Sequence, residues 1–301
     1  MAMTDIIERP VLAETDETGV PAQAPTAFNT SNSGFVIHRS GQIRHEFRRE
    51  GREFALELAG FLNKPLAGKA TIVVFEELFG QQDRVHWVQH FKNPNDYHVI
   101  LDLVDHDKTF KDITERDRLA EGGGGNWERM FTEGTFSERV IVPQHGVGDH
   151  DDDDDDPTYF ADPASHQTTV PEGELLHTGN AGITIMRTAH CKYEFRDEAR
   201  QFAYEWANHI NNTLRGSVSA FLFEETFGRQ DRIHWTLHFK TLNDYLKLVE
   251  LGKDETYKQI LGARRVALAK GGGSWEKTFV DGTIQDLVLS PLRSGTTASG
   301  F

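Results

Sequence analysis

The chain has 301 residues, 38% of them apolar and 26% charged, and a formal net charge of −15. No apolar run approaches the ~18 residues of a membrane-spanning helix, and the first residues lack a cationic stretch followed by an apolar one, so a soluble, cytoplasmic protein without membrane contact is expected. The acidity is local: residues 144–182 hold ten acids and no Lys or Arg, and residues 1–34 hold five acids against Arg9. The rest is close to neutral and carries no basic stripe, which argues against nucleic acid as a partner.

In chain order, residues 1–34 are polar and read as a disordered segment. Residues 35–46 read as a strand, and 49–66 as a helix with Phe54, Leu58, Phe61 and Leu62 on one face. Residues 69–79 and 84–92 form two strands of a hairpin. Asn95 is the expected cap of the next helix, a further helix covers 108–120, a glycine cluster follows from Gly122, and 127–142 reads as the last strand. The stretch 144–182, with "DHDDDDDD" at its centre, is expected to be a self-repelling flexible linker. Its acids lack the Gly and Glu spacing of an EF-hand loop.

Much of 35–143 recurs in 183–290 at an offset of 148 residues. "FGQQDRVHW" from Phe79 returns as "FGRQDRIHW" from Phe227, "NDY" from Asn95 as "NDY" from Asn243, and "WE" at Trp127 as "WE" at Trp275. Two long copies imply a tandem duplication of a domain-sized unit, followed by a flexible tail over 291–301. The element order of each copy is β-α-β-β-α-β, a ferredoxin-like unit of the α+β class. Helices cover one face of such a sheet, so the other needs a partner, which the second copy supplies. In element order and duplication the chain resembles the dimeric α/β-barrel superfamily. That resemblance implies two repeats packed sheet to sheet around a cavity, and functions ranging from small monooxygenases of antibiotic biosynthesis to haem proteins such as chlorite dismutase.

The expected hairpin register pairs Phe79 with Arg84, Glu77 with His86, Phe75 with Val88 and Val73 with His90, all facing the interior because strand side chains alternate. The second copy repeats this with Phe223, Glu225, Phe227, Arg232, His234 and His238. A carboxylate beside an imidazole suits general-base chemistry, so Glu77 with His86 and Glu225 with His234 are the candidate catalytic pairs. Phe75, Phe79, Arg84, His90, Phe223, Phe227, Arg232 and His238 are the candidate substrate-binding residues. The copies differ elsewhere: His38, His45 and Gln89 become Met186, Tyr193 and Leu237. Cys191 takes the place of Ile43 and reads as a core thiol.

No nucleophile elbow, metalloprotease helix, Cys-x-x-Cys pair or dinucleotide fingerprint is present. The expected function is therefore a small-molecule enzyme of bacterial secondary metabolism, of oxygenase, cyclase or isomerase type, needing no cofactor and acting on an apolar or aromatic substrate. The alternatives are a non-catalytic ligand-binding or assembly protein, and a haem or iron protein with a hairpin histidine as ligand. Self-association into a homo-oligomer through sheet edges is a further expectation.

Overall fold

The computed structural model describes residues 27–145, 147 and 158–293; the first 26 residues, the Asp run at 149–156 and the tail from 294 lie outside them. Among the described residues there are eight strands: β1 (Phe35–Gln42), β2 (Ala70–Phe79), β3 (Arg84–Phe91), β4 (Ser137–Pro143), β5 (Ile183–His190), β6 (Val218–Phe227), β7 (Arg232–Phe239) and β8 (Gln285–Pro291). They form one closed barrel in the order β1-β3-β2-β8-β5-β7-β6-β4, and every pairing is antiparallel. The helices are α1 (Arg48–Leu62), α2 (Tyr97–His106), α3 (Lys108–Glu115), α4 (Trp127–Met130), α5 (Arg196–Thr213), α6 (Asp244–Glu250) and α7 (Glu255–Gly262).

This corrects the expected fold class, two β-α-β-β-α-β units packed sheet to sheet as a dimeric α/β barrel. There are not two sheets facing one another: β2 pairs with β8 and β4 with β6, so the strands of the two halves join edge to edge. Seven described helices rather than four surround them. The reason is the cost of edges: each half-sheet would leave β2 and β4, or β6 and β8, with unpaired backbone groups, and closure satisfies all four edges. The closed barrel also removes the sheet edges through which self-association was expected.

The 127–142 strand is likewise corrected. The chain makes α4, begun by the Asn126 side chain accepting from the Glu128 N–H, and only then β4. Gly123, Gly124 and Gly125 precede it at φ of 87°, 78° and 136°, a run of left-handed backbone that side chains resist. Asn93, rather than Asn95, supplies the side-chain cap before α2.

Three cores result. On α1, Gly51, Phe54, Ala55, Ala59 and Leu62 are buried at helical spacing and face Ile72, Val74, Val85 and Trp87 on the outside of the sheet. The same pattern places Phe202, Trp206 and Ile210 of α5 against Leu222, Ile233 and Trp235. The third core is the barrel interior, with Phe75, Phe221, Phe223, Ile141 and Leu289 fully buried. Ala164, Val170 and Leu175 belong to that interior core, so the described part of the expected linker packs onto it. Residues 27–34, part of the expected disordered segment, are also buried at Phe28, Thr30, Ser31 and Ser33.

Candidate active site

Parity places the predicted residues on the interior face, but the hairpin register differs from expectation by two residues. Phe75 lies opposite His86 and Val73 opposite Val88, and Phe223 opposite His234. Glu77 and Phe79 leave the hairpin to pair with Leu289 and Val288 of β8, across a bulge. Phe79 and Phe227 therefore sit at the rim, 60% and 59% exposed, whereas Phe75 and Phe223 are fully buried below.

At the open end of the barrel, Glu77 and His86 do meet: Glu77 Oε2 is 3.8 Å from His86 Nε2. In the second half Glu225 Oε2 is 3.4 Å from His234 Nε2. Both Nε2 atoms are enclosed, and neither makes a hydrogen bond among the described residues. The Nδ1 atoms are held differently: His86 Nδ1 is 2.9 Å from His38 Nε2, while His234 Nδ1 is 2.9 Å from Thr188 Oγ1. Arg232 donates to Glu225 Oε2 at 2.9 Å and to His190 Nε2 at 3.0 Å. Its counterpart Arg84 donates instead to Gln81 Oε1 and Ser40 Oγ, and Arg139 of β4 stands 3.7 Å from Glu225. Two adjoining cavities of about 330 and 550 Å³ open here, sharing Arg139, Arg232 and Leu287 as walls. Arg84, Arg139, Arg229 and Arg232 face only Glu77 and Glu225 across them, apart from the paired Glu138 and Asp286 at the margin, so the mouth has a cationic surplus.

The other two candidate histidines lie at the opposite end. His90 and His238 are four residues along the strands from His86 and His234, roughly 13 Å, and do not reach the mouth. His90 Nε2 is 3.0 Å from Thr178 Oγ1, and His238 Nε2 is 2.8 Å from Thr30 Oγ1. The two threonines exchange backbone contacts, Thr30 N–H to Thr178 Oγ1 and Thr178 N–H to Thr30 Oγ1. These four side chains are buried and bonded to one another, and they lie at the closed end of the barrel. Asp83 and Asp231 also turn away, toward Arg52 and Arg196 of the flanking helices, and His45 joins Asp83 at the surface. Cys191 is buried, and burial pushes its thiol up to about 12, which removes it as a nucleophile.

The mouth's electrostatics follow from enclosure. Burial, then the charges of Arg84 and Arg139, hold His86 down at about 3. Burial brings His234 to about 4, although Glu225 pulls it upward. His38 lies well below its ordinary value through burial and the neighbouring His86. For Glu225, burial alone would raise the carboxyl; His234, the Arg229 N–H, Arg232 and Arg139 outweigh it and bring it to about 2. At neutral pH the site holds neutral imidazoles, an ionised Glu225 and charged guanidinium groups.

Residues 3–297 match the family described as a family of unknown function (DUF6039). The chain belongs to DUF6039. No curated protein matches the DUF6039 chain. Among solved structures it is similar to a protein of Fusobacterium nucleatum described as a "putative monooxygenase", at 9% identity and a TM-score of 0.50 over 87% of this chain and 94% of that one. A protein of Lactobacillus acidophilus with the same description shares 8% identity over 87% of this chain and 94% of that one, with a TM-score of 0.49. Chlorite dismutase from Candidatus Nitrospira defluvii, in complex with imidazole, shares 12% identity over 87% and 93%, with a TM-score of 0.43. At this identity the likeness to the Fusobacterium protein is one of fold. Among the described residues of the DUF6039 chain no helix is long and apolar enough to cross a membrane.

Haem needs an apolar slot for its macrocycle and an axial donor in the same place. In this DUF6039 chain the two are separated: the histidine-lined mouth is walled by Arg, Glu and Ser, and an apolar cleft of about 600 Å³ outside the barrel has no His, Cys, Tyr or Met in its walls. Nor do the described residues gather three or more His, Cys, Asp or Glu in a metal-holding group. The residues present do not fit haem or iron.

Sequence reading missed Arg139, Thr30 and Thr178. The threonines carried a signal, since "NTSNSG" from Asn29 and "HTGNAG" from His177 share Thr, Asn and Gly at the offset of 148 residues. Gly34 is required there because a Cβ would lie 2.6 Å from the Ala161 carbonyl oxygen and 2.8 Å from that of Lys92.

Proposed function

We propose that this DUF6039 protein is an enzyme that binds a small anionic molecule with an apolar or aromatic body in the barrel mouth and moves a proton on it through His86 or His234. The observation that carries the reading is the pair of buried, unbonded Nε2 atoms, each facing a carboxylate, beneath a surplus of guanidinium groups. Cofactor-independent oxygenation, cyclisation and isomerisation share a first step, removal of an acidic proton to leave an enolate or phenolate. Arg84, Arg139 and Arg232 stabilise that anion. The imidazole accepts the proton, and Glu77 or Glu225 stabilises the imidazolium. An imidazole near 3 or 4 is a weak base in the empty site, but an incoming anion offsets the arginine charges that depress it, so binding raises basicity when it is needed. Phe79 and Phe227 at the rim give the aromatic body a contact surface. Recurrence of both His/Glu pairs at one offset supports descent by tandem duplication.

Calorimetry with salicylate and its neutral analogue salicylamide tests the binding half. Salicylate is expected to bind and salicylamide not, and Arg139→Met should weaken salicylate about tenfold or more. Equal binding of the two ligands, or an unchanged Arg139→Met, overturns the reading. The catalytic half is read by deuterium wash-in from D₂O at the acidic carbon of 3-oxo-3-phenylpropanoate. His86→Gln or His234→Gln should slow the catalysed exchange on the order of 10²-fold. Binding without catalysed exchange would make this a ligand-binding protein instead.

A further inference from the structure

We infer that the first half carries a second binding site, separate from the mouth, for a planar fused-ring aromatic molecule with a hydrogen-bonding edge. It lies on the outside of the barrel, between the sheet and helices α1 to α4, where a cleft of about 600 Å³ opens. That is the size of a small-molecule pocket. Phe54, Trp87, Phe110, Trp127 and Phe136 face it. Arg39, Thr114, Ser137 and Glu138 also line it, and so does Gln89, 4% exposed and with no side-chain hydrogen bond among the described residues. The Gln89 amide is open to the cleft rather than sealed by protein, so a ligand there can reach it, and the group can both donate and accept.

The second half shows what shape fills such a cleft. There the corresponding space is about 190 Å³, because Trp206 stands where the first half has Leu58. The Trp206 indole meets Trp235 edge-on at 5.8 Å between centroids, lies under the Arg187 guanidinium at 5.7 Å, and donates from Nε1 to Tyr257 Oη at 3.0 Å. The first half keeps two of the three hosts, Trp87 for Trp235 and Arg39 for Arg187, and both line the cleft. The third is moved: Phe110 stands three residues after the capping Asp107 of α3, as Tyr257 stands three after the capping Asp254 of α7, and has no hydroxyl, while Gln89 replaces Leu237 and supplies a polar contact from the sheet. A free aromatic ring system of indole size or larger therefore takes the place that the chain's own tryptophan takes in the other half. Its face meets Arg39, its edge meets Trp87, and an N–H, O–H or carbonyl bonds to Gln89. The cleft is distinct from the mouth although both are built on β1, β3 and β4. Arg39 and Gln89 point outward where His38 and His90 point inward, and Ser137 and Glu138 border both spaces.

Fluorescence and calorimetric titration of the full chain with quinolin-2-one and indole, with decanoate as an acyl-chain control, test this. The aromatic probes should bind and alter the emission of Trp87 and Trp127. Leu58→Trp, which imports the second half's own plug, should abolish binding, and Gln89→Leu should weaken quinolin-2-one about tenfold. Both variants should leave salicylate binding at the mouth unchanged. Should Leu58→Trp lose the wild-type melting transition, Gln89→Leu alone decides. The inference is overturned by undiminished quinolin-2-one binding in a folded Leu58→Trp or in Gln89→Leu, by tighter binding of decanoate than of either ring, or by no aromatic binding up to about 1 mM.

Discussion

Acidification from about pH 7 to about pH 5 is expected to cost this protein about 5 kcal/mol of stability, well before ordinary carboxylates titrate. His38, His86, His90, His234 and His238 are all at least 93% buried, and burial lowers every one of them, His86 and His90 to about 3 and His234 to about 4. In the unfolded chain each returns to about 6.5. Above that value both states are neutral and nothing is lost. Below it the unfolded chain binds protons that the folded interior refuses, so stability falls with pH until the folded values are reached. Each histidine contributes about 1.4 kcal/mol per pH unit at full slope. Two or three acting together remove on the order of 3–4 kcal/mol per unit, which exhausts a typical total of 5–15 kcal/mol within a few units. Urea unfolding midpoints followed from pH 7.5 to 4.5 check this. A flat profile would show that the five rings are protonated inside the fold, and the barrel would then have to admit water. His90→Gln, whose amide can still meet Thr178, should make the slope shallower.

Glu225→Gln should be the most damaging single change at the mouth. The carboxylate is 8% exposed, accepts from Arg232 Nη1 at 2.9 Å and the Arg229 N–H at 3.0 Å, and faces Arg139 at 3.7 Å. Neutralising it leaves Arg139 and Arg232 to repel one another across a partly desolvated space, a loss of about 3–5 kcal/mol. Glu77→Gln is the internal control. Glu77 accepts from the Gln81 N–H at 2.8 Å and lies 3.8 Å from His86, while Arg84 is held by Gln81 and Ser40 rather than by a carboxylate. Its loss should cost about 1 kcal/mol. Chemical denaturation of both variants separates the two cases, and added phosphate should restore part of the Glu225→Gln deficit by occupying the vacated charge position. Equal losses in the two variants, or a Glu225→Gln indifferent to phosphate, would remove the argument that the arginines await an anion.

How much of this was legible depends on which physical rule governed each residue. Side-chain alternation is local, so Glu77, His86, Glu225 and His234 were assignable to the interior even though the pairing was off by two: a shift of two leaves parity intact. The pairing itself was not legible, because β2 gives its last residues to β8, a strand from the far end of the chain. Closure of the barrel depends on the same long-range pairing. Arg139 was hidden in a stretch read as one long strand, where a glycine turn and a four-residue helix intervene. Thr30 and Thr178 fell outside the assumed repeat bounds because charge and polarity suggested segments without structure. The difference that mattered most in the first half, Leu58 against Trp206, looks conservative in sequence, and only packing reveals the cleft it opens.

The near-equivalence of the two halves bears on the handedness of whatever chemistry occurs in the mouth. A pocket whose walls matched across a twofold axis would accept an unsymmetrical molecule equally well either way round and would yield a mixture of regioisomers. Here His38 faces the position of Met186, and Arg139 that of Leu287. A charged hydrogen bond available in one orientation and absent in its reverse is worth about 1.5–3 kcal/mol, a preference of tenfold to more than a hundredfold. Under the proposed proton transfer, divergence at those positions would favour one binding orientation, and so one product, over the other.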